Sequence, residues 1–167
     1  LDTGIDVDDS IDMSLSSGAI TITQVADEQH DEDVLKGGTG TGDILKLTAD
    51  NATALIGGIS GIETITVVDG SSKTIGITMD ANDTQIASGK TLTVDGSGLS
   101  ASDETLTFTG TASETDGNVS VTGSLGADTI VGTGGNDTLV GGLGNDSLTG
   151  GVGDDTYTGG GGTADVF

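Results

Sequence analysis

From Ile44 onward apolar and polar residues alternate in short bursts: Ile44-Leu45-Lys46-Leu47, Glu63-Thr64-Ile65-Thr66-Val67-Val68, Thr74-Ile75-Gly76-Ile77-Thr78, Thr91-Leu92-Thr93-Val94, Thr105-Leu106-Thr107-Phe108 and Val119-Ser120-Val121. A period of two gives each burst one apolar face, and Ile, Leu and Val flanked by Thr suit a pleated, half-buried surface, so the pattern predicts strands. Clusters such as Asp69-Gly70-Ser71-Ser72 and Asp95-Gly96-Ser97-Gly98 separate the bursts and carry turn chemistry. No segment has a convincing helical period. The stretch from Ala49 to Ile56 is compatible with either a short helix or a solenoid corner.

The spacing between bursts shortens along the chain and locks at nine residues from Gly123. In register, the copies are Gly-Ser-Leu-Gly-Ala-Asp-Thr-Ile-Val (123–131), Gly-Thr-Gly-Gly-Asn-Asp-Thr-Leu-Val (132–140), Gly-Gly-Leu-Gly-Asn-Asp-Ser-Leu-Thr (141–149) and Gly-Gly-Val-Gly-Asp-Asp-Thr-Tyr-Thr (150–158). A further copy opens at Gly159 and has its acid, Asp165, one place late. Upstream, Glu114 to Thr122 keeps Gly117, Asn118 and Val121 in phase but has Val119 at the sixth place, so it reads as a coil that keeps its strand and loses an acid. Tandem units of this kind bury their apolar faces by stacking on one another.

Glycines at the first, second and fourth places let the backbone take positive φ and turn carbonyls toward a common point. The sixth-place Asp adds charge, and the eighth-place Ile130, Leu139, Leu148 or Tyr157 points inward to build a narrow core. Ca²⁺ is a hard ion that takes six to eight oxygens at roughly 2.3 to 2.6 Å, which carbonyls and a few carboxylates supply. The copies resemble the Gly-Gly-x-Gly-x-Asp-x-U-x nonapeptide of the RTX family, U being a large apolar residue.

That resemblance implies a parallel β-roll in which two nonapeptides make one turn and each of several Ca²⁺ ions sits between coils eighteen residues apart. Asp128 would then share an ion with Asp146 on one edge, and Asp137 with Asp155 on the other. Carbonyls of Gly132, Gly134, Gly141, Leu143, Gly150 and Val152 would complete the shells, and Asn136, Asn145 and Asp154 join the candidate ligands. The expected fold is all-β: a calcium-binding parallel β-roll over 123–167, irregular β-solenoid coils over 41–122, and an acidic, strand-containing segment over 1–40. A Gly/Asp-rich flexible linker is the plain alternative. Four in-register copies with both the Asp and the apolar place filled speak against it.

Four Lys, no Arg and 27 acids give a net charge of −23, which disfavours nucleic acid as a partner and makes the compact state repel itself unless cations neutralise part of it. No apolar stretch approaches the roughly 20 residues of a membrane-crossing helix. The N-terminus lacks the pattern of a secretory signal, and the start at Leu1 suggests a fragment or processed chain. With no Cys, neither a disulfide framework nor a thiolate metal site is available.

Other candidate sites are weak. Leu1-Asp2-Thr3-Gly4 matches half of an aspartic-protease dyad and has no second copy. Asp2, Asp6, Asp8, Asp9 and Asp12 lack the Gly and terminal Glu of an EF-hand loop and read as a solvated acidic stretch. His30 lies among Asp27, Glu28, Asp31, Glu32 and Asp33, where a charged loop is the simpler reading than a transition-metal site. No hydrolase elbow, metalloprotease pair or phosphate loop appears, so a non-enzymatic role is expected.

The upstream phrase Gly58-Ile59-Ser60-Gly61-Ile62-Glu63-Thr64-Ile65-Thr66-Val67 resembles calcium-dependent bacterial S-layer and large surface proteins. It implies a secreted, extracellular structural protein that self-associates into a lattice or filament, with cell-surface polysaccharide as a further contact. The alternatives are the C-terminal export and folding module of an enzyme or toxin, and a segment of a giant adhesin. Type I export follows from the RTX resemblance. The export segment that usually follows such repeats is not among these residues, so either the chain continues past Phe167 or it leaves by another route.

Overall fold

The computed structural model describes residues 10–12, 17–19, 21–25, 34–48, 53–56, 59–70, 74–79 and 85–167. Among these the chain is strand and turn, with no helix, so none is long and apolar enough to cross a membrane. The strands are β1 (Ser10–Asp12), β2 (Thr21–Val25), β3 (Val34–Lys36), β4 (Ile44–Thr48), β5 (Thr53–Ile56), β6 (Ile59–Ser60), β7 (Thr64–Val68), β8 (Thr74–Met79), β9 (Thr91–Gly98), β10 (Thr105–Thr109), β11 (Asn118–Thr122), β12 (Thr129–Val131), β13 (Thr138–Leu143), β14 (Ser147–Thr149) and β15 (Thr156–Gly161). The six bursts read from the sequence are β4 and β7 to β11.

Every pairing between these strands is parallel. One long sheet runs β2-β4-β7-β9-β11-β13-β15, a second runs β5-β8-β10-β12-β14, and a short third holds β1-β3-β6. Strands β4, β5 and β6 fall in three different sheets, whereas from β7 onward successive strands alternate between two. The chain therefore winds as a solenoid whose coils begin three-faced and become two-faced.

Coil length follows this change. Ile44 pairs with Thr64, Thr91 with Asn118 and Thr74 with Thr105, so upstream rungs differ in length. Ser120 then pairs with Thr138, Thr129 with Ser147 and Thr138 with Thr156, each exactly two nonapeptides apart. The last copy stays in the stack: Val166 bridges Ser147, the late acid being absorbed as one extra residue in the rung.

Each upstream strand from β7 to β11 sends at least two apolar residues inward, Ile65 and Val67, Ile75 and Ile77, Leu92 and Val94, Leu106 and Phe108, Val119 and Val121, with Met79 a third in β8, all buried. In register they form continuous columns, such as Ile77-Phe108-Ile130-Leu148 and Val94-Val121-Leu139. Burying one such side chain stabilises by about 1.5–3 kcal/mol. The downstream strands keep one apolar residue each (Ile130, Leu139, Leu148), and the other inward position holds Asp128, Asp137 or Asp146. The apolar drive per strand is thus halved where the nonapeptides begin.

Three expectations are corrected. Asp95-Gly96-Ser97-Gly98 is not a turn but the end of β9, which pairs with β7 through a bulge between Thr66 and Val68. Glycine is needed there because neighbouring rungs crowd the backbone: a Cβ at Gly98 would collide with the Val67 carbonyl. Of the two readings of Ala49 to Ile56, short helix and solenoid corner, the helix is set aside, since the described part, Thr53–Ile56, is strand β5. Tyr157 occupies the column after Leu139 but is 39% exposed, its ring meeting Phe167 edge-on at 5.7 Å.

Candidate metal centre

The turns before β12 to β15 bring the sixth-place acids into two stacked columns, one per edge of the roll. On the first edge Asp128 Oδ1 accepts the Leu106 N–H (2.6 Å), Asp146 Oδ1 the Asp128 N–H (2.9 Å) and Asp165 Oδ1 the Asp146 N–H (3.1 Å). On the second, Asp137 Oδ1 accepts the Val119 N–H (2.8 Å) and Asp155 Oδ1 the Asp137 N–H (2.9 Å). Each carboxylate reaches back one rung and ties its turn to the preceding coil. The columns also continue apolar ones, since Asp137 follows Leu92 and Val119, and Asp128 follows Ile75 and Leu106.

Asp128, Asp137 and Asp146 are at most 2% exposed. Burial pushes all three carboxyls above the usual carboxylate range. Hydrogen bonds from Ser124 and Leu106 to Asp128, from Val119 and Thr133 to Asp137, and from the Asp128 N–H to Asp146 oppose the shift. The acid one rung on adds repulsion in each case: Asp146 for Asp128, Asp155 for Asp137 and Asp165 for Asp146.

The turns come in two forms. In the copies opening at Gly141 and Gly150 the second- and fourth-place glycines take positive φ: Gly142 113°, Gly144 112°, Gly151 107° and Gly153 125°, with Gly160 at 103° in the next copy. In the copies opening at Gly123 and Gly132 the second place is Ser124 or Thr133, and the fourth-place Gly126 and Gly135 are not in that region.

The first-place glycines leave a cradle. A Cβ on Gly141 would collide with Asp146 Oδ2 and stand 2.6 Å from the Gly159 carbonyl oxygen; one on Gly132 would meet Asp137 Oδ2 and the Gly150 carbonyl, and one on Gly123 would meet Asp128 Oδ2 and the Gly141 carbonyl. Asp146 Oδ2 is buried and accepts no hydrogen bond. A buried, unsatisfied carboxylate oxygen beside a carbonyl in an all-oxygen surround fits a hard divalent cation, which supplies positive charge and coordination to oxygens that lack donors. Among the described residues no three acidic, His or Cys side chains converge, so backbone carbonyls have to provide much of any shell.

The remaining sequence-derived candidates are placed as follows. Asn136 Oδ1 accepts the Asp154 N–H (2.9 Å) and Asn145 Oδ1 the Thr163 N–H (3.1 Å), while the Asn136 N–H donates to Asn118 Oδ1 (2.9 Å). The fifth place thus forms an amide ladder through Asn118 and Asn136 on one edge and a single such step, from Asn145, on the other. The Gly132 carbonyl lies against Gly110, in the preceding coil. The Gly134 N–H donates to the Glu114 carbonyl (2.7 Å) and the Leu143 N–H to the Ser124 carbonyl (3.1 Å). Leu143 and Val152 are exposed at the turn tips. Asp2, Asp6, Asp8, Asp9 and His30 lie outside the described residues.

Sequence reasoning missed the upstream acids, of which Asp43, Glu104 and Glu114 are buried and Glu63 is half-buried. Glu63 Oε2 accepts the N–H groups of Gly42 (3.1 Å) and Asp43 (2.8 Å), and Asp43 Oδ2 accepts that of Gly38 (2.7 Å). Glu104 Oε2 accepts the Ala101 N–H (2.7 Å), and Glu114 accepts those of Ile86 and Gly117, both at 3.2 Å. Their shared signal is an acid immediately before a strand or closing a Gly/Ser/Thr-rich turn, as at Asp43, Glu63 and Glu104.

Compared with known proteins, residues 115–139 and 131–163 match the profile of the RTX calcium-binding nonapeptide repeat, in four copies. Neither the curated proteins nor the solved structures yield a match to the chain. RTX repeats bind several calcium ions per array and belong in general to secreted proteins, so the chain is a calcium-binding protein of extracellular type. The coils over residues 115–163 are RTX calcium-binding nonapeptide repeats, the parallel β-roll family of calcium-binding proteins.

Proposed function

We propose that this chain is a structural component of a bacterial surface layer or extracellular filament, a β-solenoid whose C-terminal coils are locked by Ca²⁺. The supporting observation is continuity: one sheet runs from β2 to β15 through irregular coils and calcium-binding coils alike, so both belong to a single stacked scaffold. Its outward positions are largely Thr and Ser, aligned rung on rung, as in Thr74 with Thr105 (hydroxyls 3.0 Å apart) and Ser120 with Thr138 and Thr156. Such faces are flat, and flat coils stack and pack side by side. Asp146 and Asp155, with first-place glycine carbonyls, are the proposed ligands, and self-association the proposed partnership.

The test is a calcium titration of the purified chain followed by circular dichroism and electron microscopy of the same samples. Strand signal together with sheets or fibres is the expected result. Strand signal in a persistent monomer would overturn the assembly role and favour an export module or adhesin segment.

A further inference from the structure

Buried carboxylates in this fold are satisfied in three different ways, in order along the axis. In the upstream coils the buried Asp43, Glu104 and Glu114 accept backbone N–H groups. In the first two nonapeptides a side-chain hydroxyl joins in. Asp128 accepts the Ser124 N–H on Oδ2 (2.6 Å) and the Ser124 hydroxyl on Oδ1 (2.7 Å), besides the Leu106 N–H. Asp137 accepts the Thr133 N–H on Oδ2 (2.6 Å), and the Thr133 hydroxyl lies 3.0 and 3.2 Å from its two oxygens. Both hydroxyl oxygens also accept, from the Gly126 N–H (3.1 Å) and the Gly135 N–H (3.3 Å); the single Ser124 hydroxyl proton is shared between Asp128 Oδ1 and the Glu104 carbonyl, the latter at 2.9 Å. At Asp146 the second place is Gly142, which has no hydroxyl, and Oδ2 is left without a donor.

We infer that Ser124 and Thr133 replace calcium in the first two turns of the array. Asp128 and Asp137 are held by protein donors rather than by a metal, and the first calcium site is built at Asp146. A hydroxyl and an N–H from the second place offer the carboxylate the positive ends of two dipoles in the cradle that an ion would otherwise fill. The two turn forms agree with this division. Turns with Ser or Thr keep their fourth-place glycines out of the positive-φ region, while those with Gly-Gly hold second and fourth places there and turn their carbonyls. The β12 and β13 coils are thereby joined to the calcium-free solenoid and form before any ion arrives. The inference rests on calcium binding by the repeats and is independent of the surface-layer role.

The test counts bound ions on the whole chain by equilibrium dialysis and follows amide hydrogen exchange with calcium and with chelator. Asp146→Asn should lose one ion per chain, whereas Asp128→Asn and Asp137→Asn keep the full count. In chelator the amides of Leu106, Val119, Ser124 and Thr133 should stay protected while those over 141–163 exchange at least tenfold faster than with calcium. A count that falls by one in folded Asp128→Asn or Asp137→Asn overturns the inference. Should those variants fail to fold, the unmodified chain decides: loss of protection at Ser124 and Thr133 together with 141–163 has the same meaning. A chain that binds no calcium, with exchange identical in chelator, would instead overturn the calcium reading as a whole.

Discussion

At the second place of the nonapeptide one atom group decides how the turn closes. Gly142, at φ 113°, sits where a Cβ would also collide with the Ser124 carbonyl of the preceding coil. Gly89, at φ 68°, has open space around its Cβ position. Gly89→Ala should therefore cost only the conformational term, about 1 kcal/mol, and Gly142→Ala roughly 1–3 kcal/mol for strain plus the clash. Thermal melts in saturating calcium compare them, and equal losses would contradict the crowding described between rungs. The raised carboxyls of Asp128 and Asp137, in the coils that keep their fold without calcium, give the calcium-free chain a definite pH response. A group whose folded pKa exceeds its unfolded value stabilises the fold below the unfolded value and loses that contribution as pH rises through the folded one. Without calcium, the thermal midpoint should rise as pH is lowered from 7 toward 4; a midpoint that falls over that range would show that these acids are not buried in the calcium-free state.

At the scale of the strand, the count of inward apolar residues separates two regimes. Phe108, in β10 with two inward apolar residues, is fully buried, and Phe108→Ala should lose about 3–5 kcal/mol whether or not calcium is present. Leu148 is the one apolar residue that β14 sends inward, in a coil beyond the Gly-Gly turns, so Leu148→Ala should lower the calcium-loaded midpoint and leave the chelator melt unchanged. Denaturation of both variants in both buffers checks this, and an equal effect of calcium on the two would remove the distinction. The strands and the nonapeptide phase were legible in the sequence because alternation and repetition are local. The passage from three-faced to two-faced coils was not, since it depends on which strands an irregular turn brings together. Strand β9 ran past its apparent turn because a Gly-Ser-Gly run serves close approach as well as reversal. The second-place Ser124 and Thr133 stood in plain view as departures from Gly-Gly; their meaning required seeing the carboxylate they face.

Over the whole molecule the charge of −23 opposes compaction. Salt at 0.15 M screens beyond about 8 Å, whereas acids in one column belong to strands only about 4.8 Å apart. Monovalent salt therefore relieves the diffuse repulsion and leaves the columns uncompensated. Raising sodium chloride to about 0.5 M in chelator should not restore the strand signal of the last coils, and circular dichroism that recovers fully under those conditions would argue against site-bound calcium. The irregular upstream rungs carry a further consequence. Adjacent nonapeptides are nearly interchangeable, so an array of them alone could pair out of step by a whole coil and still bury its Leu and Asp residues. The pairings of Leu92 with Val119 and Ile75 with Leu106 belong to rungs of unequal length and admit no such slippage. They act as a key cut once at the start of the stack, so that every identical tooth after it engages in a single alignment.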